Sequence, residues 1–317
     1  MTVLVLTSEE DVTADMVIRH LAAAGTPVLR LDPADCPGRV DFAARITAGG
    51  GVVGHIATEL GRVDFADIRS IWVRRPGPPG RYADVQPEWV ALETERAFYG
   101  ALRALDVPWM NPPEAVAGTQ YKVAQLVTAR RVGMTVPASL FATIPEEAAQ
   151  FARAAEDLIV KSVSGRHPEN PPLTFPTSRV EAGADFSGVS HSATCLQHEV
   201  RAVAHLRLTM VGTRLFPCFI TPPAGVLDWR FEPTENCQWE IKSIPPELRK
   251  SALEFMAAYG LVYGALDFAI TEEGEFYFLE VNAKGQFGFV ELQTRAPISE
   301  AIATWLTEPR SQLSCWG

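Results

Sequence analysis

No two of the five cysteines (Cys36, Cys195, Cys218, Cys237 and Cys315) stand at CxxC spacing. A zinc ribbon or a disulfide framework therefore has no support, and the odd number and scatter suit reduced thiols in a cytosol. The six histidines form no HxxxH or HExxH pattern, which speaks against zinc. There is no GxSxG elbow and no Cys-His signature, so covalent catalysis is unsupported. No GxGxxG follows the first apolar run, which removes the usual fingerprint of a dinucleotide site. Basic residues are outnumbered, 28 Lys and Arg against 38 Asp and Glu, and a net charge of −10 is the opposite of a nucleic-acid binder's basic stripe. A local basic pocket for phosphates stays compatible with that balance. No run approaches the roughly 20 apolar residues of a membrane span. The opening MTVLVLTSEED meets acidic residues too early for a signal-peptide core. The expectation is a cytoplasmic protein with no nucleic-acid or membrane partner.

What the chain has is a globular composition, 47% hydrophobic and 21% charged, and a length suited to two or three domains. Val3–Leu6, an amphipathic Thr13–Ala24 stopped by Gly25, and Val28–Leu31 predict a βαβ opening with a parallel sheet. Gly49-Gly50-Gly51, between Phe42–Thr47 and Val52–Ala57, reads as a hairpin turn and not a phosphate cradle, because no helix start follows. Ile68–Val73 predicts a strand ending in Arg74-Arg75-Pro76, and Trp89–Leu105 a helix. The rigid Trp109-Met110-Asn111-Pro112-Pro113 places a boundary near residue 112 and leads to a predicted helix over Gly118–Gly133. Leu158–Ser162 reads as a short strand, and the Gly-, Pro- and Ser-rich stretch to about Gly188 as a mobile loop or lid. Thr194–Val200, Leu206–Val211 and Thr213–Ile220 read as strands, and Pro246–Tyr259 and Ile298–Leu306 as helices.

The densest chemistry lies between Gly264 and Glu291. Two strands flank a turn at Glu272-Glu273-Gly274; Asp267 is on the first, Glu280 and Asn282 on the second. Side chains two apart on a strand share a face, so Glu280 and Asn282 point the same way. Three hard oxygen ligands on a rigid sheet suit Mg²⁺, which takes carboxylates together with substrate phosphates. The hairpin thus suggests a metal-nucleotide enzyme.

Other candidates carry two readings each. Lys161 in Leu-Ile-Val-Lys-Ser is either an edge residue facing water or a point charge on nucleotide phosphates. Lys122 is either a solvated helix residue or a second phosphate ligand. Gln197-His198-Glu199-Val200 is either a polar edge strand or a hinge whose backbone pairs with adenine. Arg207 and Arg230 present guanidinium forks suited to phosphate or carboxylate, although Asp228 is placed to pair with Arg230.

Taken in order, these pieces resemble the ATP-grasp superfamily, and within it the graspetide synthetases, ligases that form side-chain ester or amide rings in ribosomal peptides such as microviridins. The resemblance rests on Ile71-Trp72-Val73-Arg74-Arg75-Pro76, on Asn111-Pro112-Pro113 with Ala117 and Lys122, and on Gln125-Leu126, Ala129, Gly133 and Val136-Pro137. It continues with Asp228-Trp229-Arg230 and with Leu279-Glu280-Val281-Asn282 followed by Gly285-Gln286. The chain departs from the family at Gln197-His198-Glu199-Val200, at His205-Leu206-Arg207 and at Asn282-Ala283. The resemblance implies an α/β (α+β) ATP-grasp fold: an N-terminal pre-ATP-grasp α/β domain over 1–112, a central subdomain with a lid loop over 113–200, and a C-terminal antiparallel-sheet subdomain with the metal site over 201–317. It implies ATP and Mg²⁺ as cofactors, with Lys122, Lys161 and the segment Gln197, His198, Glu199, Val200 on the nucleotide. Asp267, Glu280 and Asn282 would hold metal, and Arg207 and Arg230 would act on the acyl group. The implied partner is a ribosomal precursor peptide with a leader and an acidic, hydroxyl-rich core, the leader docking around Ala202–Ile220; a homo-oligomer is compatible with the family. The alternative within the superfamily is a RimK-like ligase adding amino acids to a protein or small acid.

Overall fold

The computed structural model describes residues 1–165 and 175–309. Strand β1 (Thr2–Thr7), helix α1 (Val12–Ala23) and strand β2 (Val28–Leu31) form the expected βαβ opening. Asp11 caps α1, accepting from the Thr13 and Ala14 N–H groups at 3.1 and 3.4 Å. Gly25, at φ +66°, ends it with its N–H on the Ala22 carbonyl. The Gly49–Gly51 turn joins β3 (Val40–Ile46) to β4 (Val52–Thr58), and β5 (Gly61–Asp64) adds a third antiparallel strand. β6 (Ile68–Arg75) and β7 (Trp109–Met110) complete a parallel sheet in the order β2-β1-β6-β7, with α2 (Pro87–Arg103) between them in the chain. β6 runs on through Arg74 and Arg75, two residues past the apolar run that announces it.

The helix predicted over Gly118–Gly133 starts late, as α4 (Lys122–Arg131), after a separate short helix, α3 (Pro113–Gly118). The break is local: Thr119 turns back on Val116 through both its N–H (3.2 Å) and its hydroxyl (2.7 Å), and its own carbonyl accepts from the Gln125 amide. As a result Lys122 starts a helix. A four-stranded sheet of order β10-β9-β11-β8 follows, built from β8 (Ser139–Ala142), β9 (Leu158–Lys161), β10 (Ser178–Arg179) and β11 (Thr194–His198), with α5 (Pro145–Arg153) against it. Of the stretch read as a lid, residues 166–174 lie outside the described residues, as does Cys315.

The last sheet is antiparallel, β14-β13-β12-β15-β16, from β12 (Ala204–Val211), β13 (Arg214–Thr221), β14 (Gln238–Ile241), β15 (Tyr263–Ile270) and β16 (Phe276–Asn282). Helices α6 (Pro246–Tyr259), α7 (Gly288–Thr294) and α8 (Ile298–Thr307) complete the fold. Strand alternation divides its core. Leu206, Leu208, Met210, Leu266 and Phe268 face α6 and α4, with Phe255 and Met256 among their neighbours. The opposite face sends Val211, Phe216 and Ile220 into a core shared with Val3, Val5 and Trp72 of the parallel sheet and with Ile302 and Trp305 of α8. That second face also carries the charged residues described next. Among the described residues no helix is long and apolar enough to cross a membrane.

Candidate active site

Cross-strand register places three ionisable residues in one row. Arg207 on β12 lies opposite Asp267 on β15, and Asp267 lies opposite Glu280 on β16. Directly opposed residues share a face with Cβ atoms about 5 Å apart. A register shift between Asp267 and Phe268 is absorbed at Leu279, and beyond it Asn282 stands opposite Ala265, on the same face as Glu280. The period-two reading of the hairpin is thus realised, with its turn ending at Gly274 (φ +81°).

Each charge in the row has a partner. Arg207 Nη1 donates to Asp267 Oδ2 at 2.7 Å and Nη2 to the Gln286 carbonyl at 3.0 Å, while its buried Nε–H has no acceptor among the described residues. Lys122 Nζ donates to Glu280 Oε2 at 2.6 Å. Burial pushes the Glu280 carboxyl up, but Lys122, then Arg230 and Lys161, outweigh it and hold the group below its ordinary value. Asp267 is raised: burial and the adjacent Glu280 charge exceed the effect of Arg207. Lys161 Nζ donates to Gln197 Oε1 at 2.7 Å, and the Gln197 amide donates to Ser139 Oγ at 2.8 Å. Burial lowers the Lys161 pKa, against the pull of Glu280. Arg230 grips Asp228 through Nε (2.8 Å) and Nη2 (2.6 Å), and these bonds raise its pKa. The Arg230 charge reaches Glu280 and Asp267. The surface pairing foreseen for Asp228 and Arg230 therefore exists, and it holds the arginine near the row of Asp267 and Glu280.

The structure separates two residues of the hinge from the cleft. Gln197 shares a face with Lys161, so the His198 ring lies on the other side of β11, 4.8 Å from the Phe151 ring. The Glu199 carboxylate is held by Arg179 at 2.7 and 2.8 Å. Their backbone N–H groups bond Ala138 and Asp157, and the next, of Val200, has no acceptor among the described residues. Only main-chain groups of this segment are available to a base. β12 and β13 are interior strands with both edges paired, so a leader docked around Ala202–Ile220 would lie across a sheet face or its connections and not as an added strand.

Four residues that stand in the sequence only as motif positions acquire roles. The Arg74 side chain is 1% exposed; it donates to the Lys284 carbonyl and, at 2.5 Å, to Gln286 Oε1. The Tyr263 hydroxyl takes the Gly285 carbonyl at 2.7 Å. With Arg207 on Gln286, three successive carbonyls after the metal strand are tied down. Gly285 is required there, since a Cβ would lie 2.7 Å from Arg207 Nη2 and 2.8 Å from the Ala265 Cβ. Asn111 clamps the start of β15, donating to the Tyr263 and Ala283 carbonyls and accepting from the Val262 and Tyr263 N–H groups, all within 3.1 Å. Gln125 covers the open edge of β16, accepting from Val281 N at 2.8 Å, between Glu280 and Asn282. A polar residue inside an apolar run, as in Trp72-Val73-Arg74, is the one sequence signal for such roles.

Among the described residues no three His, Cys, Asp or Glu side chains cluster as a ligand set. Two carboxylates and an amide nevertheless fit Mg²⁺, which needs only one or two carboxylates when phosphates supply the rest. The exposed Asn282 already accepts from Lys284 N at 3.1 Å, and a carbonyl oxygen retains a second lone pair.

His205 lies on the same face as Arg207, and burial pushes its imidazole down to about 4, helped by Lys161 and Arg230 and opposed by Asp228. A histidine whose folded pKa is depressed contributes stability that is complete above the unfolded value near 6.5 and is lost as pH falls toward 4. Over that window the group is expected to remove on the order of 3 kcal/mol. In His205→Gln the stability should fall less steeply with acid, as read by urea unfolding at several pH values. Parallel curves for the two proteins would mean that the imidazole protonates freely in the fold.

Residues 2–117 match the family described as MvdD pre-ATP grasp domain. No curated protein matches the sequence. Among solved structures, the macrocyclase MdnC of Microcystis aeruginosa, bound with its precursor peptide MdnA, is 27% identical over 97% of this chain and 99% of its own, with a TM-score of 0.84. Macrocyclase MdnB of the same organism is 26% identical over 97% and 99%, at a TM-score of 0.77. A RiPP-associated ATP-grasp ligase of Chryseobacterium gregarium, solved with ADP and a leader and core peptide, shares the fold at a TM-score of 0.86, with 23% identity over 97% of each chain. The N-terminal match and the whole-chain superpositions agree with the cleft geometry: the chain has the fold of the ATP-grasp ligases, and its first 117 residues match the MvdD pre-ATP grasp family.

Proposed function

We propose that this chain is an ATP-dependent ligase that activates Asp or Glu side chains of a ribosomal precursor peptide and joins them to hydroxyl or amine side chains of the same peptide, closing ester or amide rings. The observation that carries this reading is the convergence of Lys122, Lys161, Arg207 and Arg230 on the adjacent carboxylates Asp267 and Glu280. A peptide substrate is supported by the similarity to a macrocyclase solved with its precursor peptide and to a ligase solved with leader and core.

In this reading Lys122 and Lys161 bind nucleotide phosphates, and Asp267, Glu280 and Asn282 hold Mg²⁺. The main chain at Val200 pairs with adenine. Bound Mg²⁺ neutralises phosphate charge and polarises the transferred group. Arg207 and Arg230 orient the peptide carboxylate and offset its charge as one of its oxygens attacks the γ-phosphorus and ADP leaves. The hydroxyl or amine then attacks the acyl carbon, the bond to phosphate breaks, and the nucleophile's proton departs with phosphate or solvent. Positioning and charge stabilisation do this work, with no protein nucleophile.

Incubation with ATP, Mg²⁺ and an acidic, Thr-rich precursor should lower the peptide mass by one water per ring. An unchanged mass would sink the cyclase reading, and a gain of one amino-acid residue would favour the RimK-like alternative. Arg230→Ala should slow ring formation about 100-fold while nucleotide affinity stays within about 3-fold. An equal loss of nucleotide binding would make Arg230 a plain phosphate contact.

A further inference from the structure

Three aromatic rings meet beside the two arginines. Trp229 and Trp239 have centroids 5.7 Å apart at 86°, and Phe289 lies 5.9 Å from Trp229 and 5.7 Å from Trp239. They come from three places in the chain: the turn after Asp228, the edge strand β14, and α7. All three are half-buried, and Phe231 beside them is 53% exposed. Their location is fixed by register and contact. Trp239 is in line with Ile220 and His205 across β14, β13 and β12. Phe289 lies under the Arg207 guanidinium, 5.8 Å from ring centroid to Cζ, and Trp229 sits between Asp228 and Arg230.

As a mere rim of the hydrophobic core, the cluster would need no neighbouring charge. Here it borders the Arg207 guanidinium, over Phe289, and the half-exposed Arg230, so one surface offers an apolar wall beside a cation that an anionic oxygen can reach. A cationic ligand in the cage is disfavoured, because Arg207 already occupies the Phe289 face and Arg230 is adjacent. In the proposed reading the nucleotide phosphates are served by other cations, Lys122 and Lys161. An acidic peptide meets both demands, with its carboxylate on the arginines and a neighbouring side chain on the rings.

We propose that Trp229, Trp239 and Phe289 form a specificity subsite that takes an apolar, preferably aromatic, side chain next to the reacting acidic residue of the peptide. The subsite rests on the peptide-ligase reading for its occupant, and binding tests it apart from turnover. Calorimetry on the full chain with ADP and Mg²⁺ would compare two synthetic peptides, Thr-Phe-Glu-Phe-Thr and Thr-Gly-Glu-Gly-Thr. The phenylalanine peptide should bind at least about tenfold tighter, the effect of burying part of one ring. Trp229→Ala should reduce that preference to within about threefold. Phe289→Leu keeps the site apolar without the ring and should weaken the preference even if the tryptophan variant fails to fold. Equal affinity of the two peptides, failure of both to bind, or a preference intact in the variants would overturn the subsite. A preference present in a protein that never removes water from a precursor would retain the subsite and discard the cyclase.

Discussion

Glu280→Gln is expected to lower ring-forming turnover on the order of 10³-fold, the largest activity loss at a proposed Mg²⁺ ligand. Glutamine keeps the shape of the side chain and removes the charge. Two interactions go with it: the ion pair that positions Lys122, and a carboxylate of the proposed Mg²⁺ set. Lys122 and Lys161, which both lower the Glu280 pKa, would then face each other without the anion between them. The fold should tolerate the change. The Lys122 and Glu280 side chains are 27% and 29% exposed, so water reaches the lysine left behind, and the cost should stay below the roughly 3–5 kcal/mol of breaking a fully buried pair. Single-turnover ADP formation across a Mg²⁺ titration, beside a urea unfolding curve, separates the two effects. Turnover near that of the unaltered protein would remove Glu280 from the metal site; a collapse of the unfolding midpoint would make it a structural residue.

Arg207→Leu is expected to have the largest effect on stability, about 3–5 kcal/mol, because it strands Asp267. Burial and the Glu280 charge already raise the Asp267 pKa, and Arg207 is the chief opposing influence. Without the arginine the carboxyl shifts further up. The sign of the pH dependence follows. A carboxyl whose folded pKa exceeds its unfolded value binds its proton more tightly in the fold, so ionising it costs stability as pH rises from the unfolded value through the folded one. The deficit of the variant should therefore be greatest at neutral pH and shrink toward about pH 4. Mg²⁺ should restore part of it, since a dication offsets the same stranded charge. Urea titrations at both pH values, with and without Mg²⁺, test this; a deficit independent of pH and metal would mean that packing and not charge is what Arg207 provides. Ring formation should be lost at any pH, because the acceptor cation is gone.

Much of the fold was readable because its signals are local. The βαβ opening, the Gly49–Gly51 hairpin and the helix Pro246–Tyr259 rest on alternation, capping and glycine at positive φ, which involve residues a few positions apart. The split at Thr119–Tyr121 was not readable. It depends on the Gln125 side chain choosing the Thr119 carbonyl and the Val281 strand edge over solvent, and no helical periodicity encodes that choice. His198 shows the same limit at the site. The tetrapeptide reads either as a polar edge strand or as a hinge whose backbone pairs with adenine, and neither reading says where the His198 ring goes; the pairing of Thr194–His198 with Leu158–Lys161 turns it toward Phe151.

The sequence by itself determined the candidate metal hairpin in part: Asp267, Glu280 and Asn282 are joined by one turn, and period-two alternation sets Glu280 and Asn282 on one face. The irregularity at Leu279 that brings Glu280 opposite Asp267, while Phe278 stays in the core, is not encoded by that period. Tertiary structure decided which charges meet. Lys122 reaches Glu280 across 158 positions, Arg74 reaches Gln286 across 212, and three rings from separate elements gather beside Arg207. Those contacts form where packed layers bring distant strands and helices together, and long-range closure leaves no repeating pattern in the chain that could announce it.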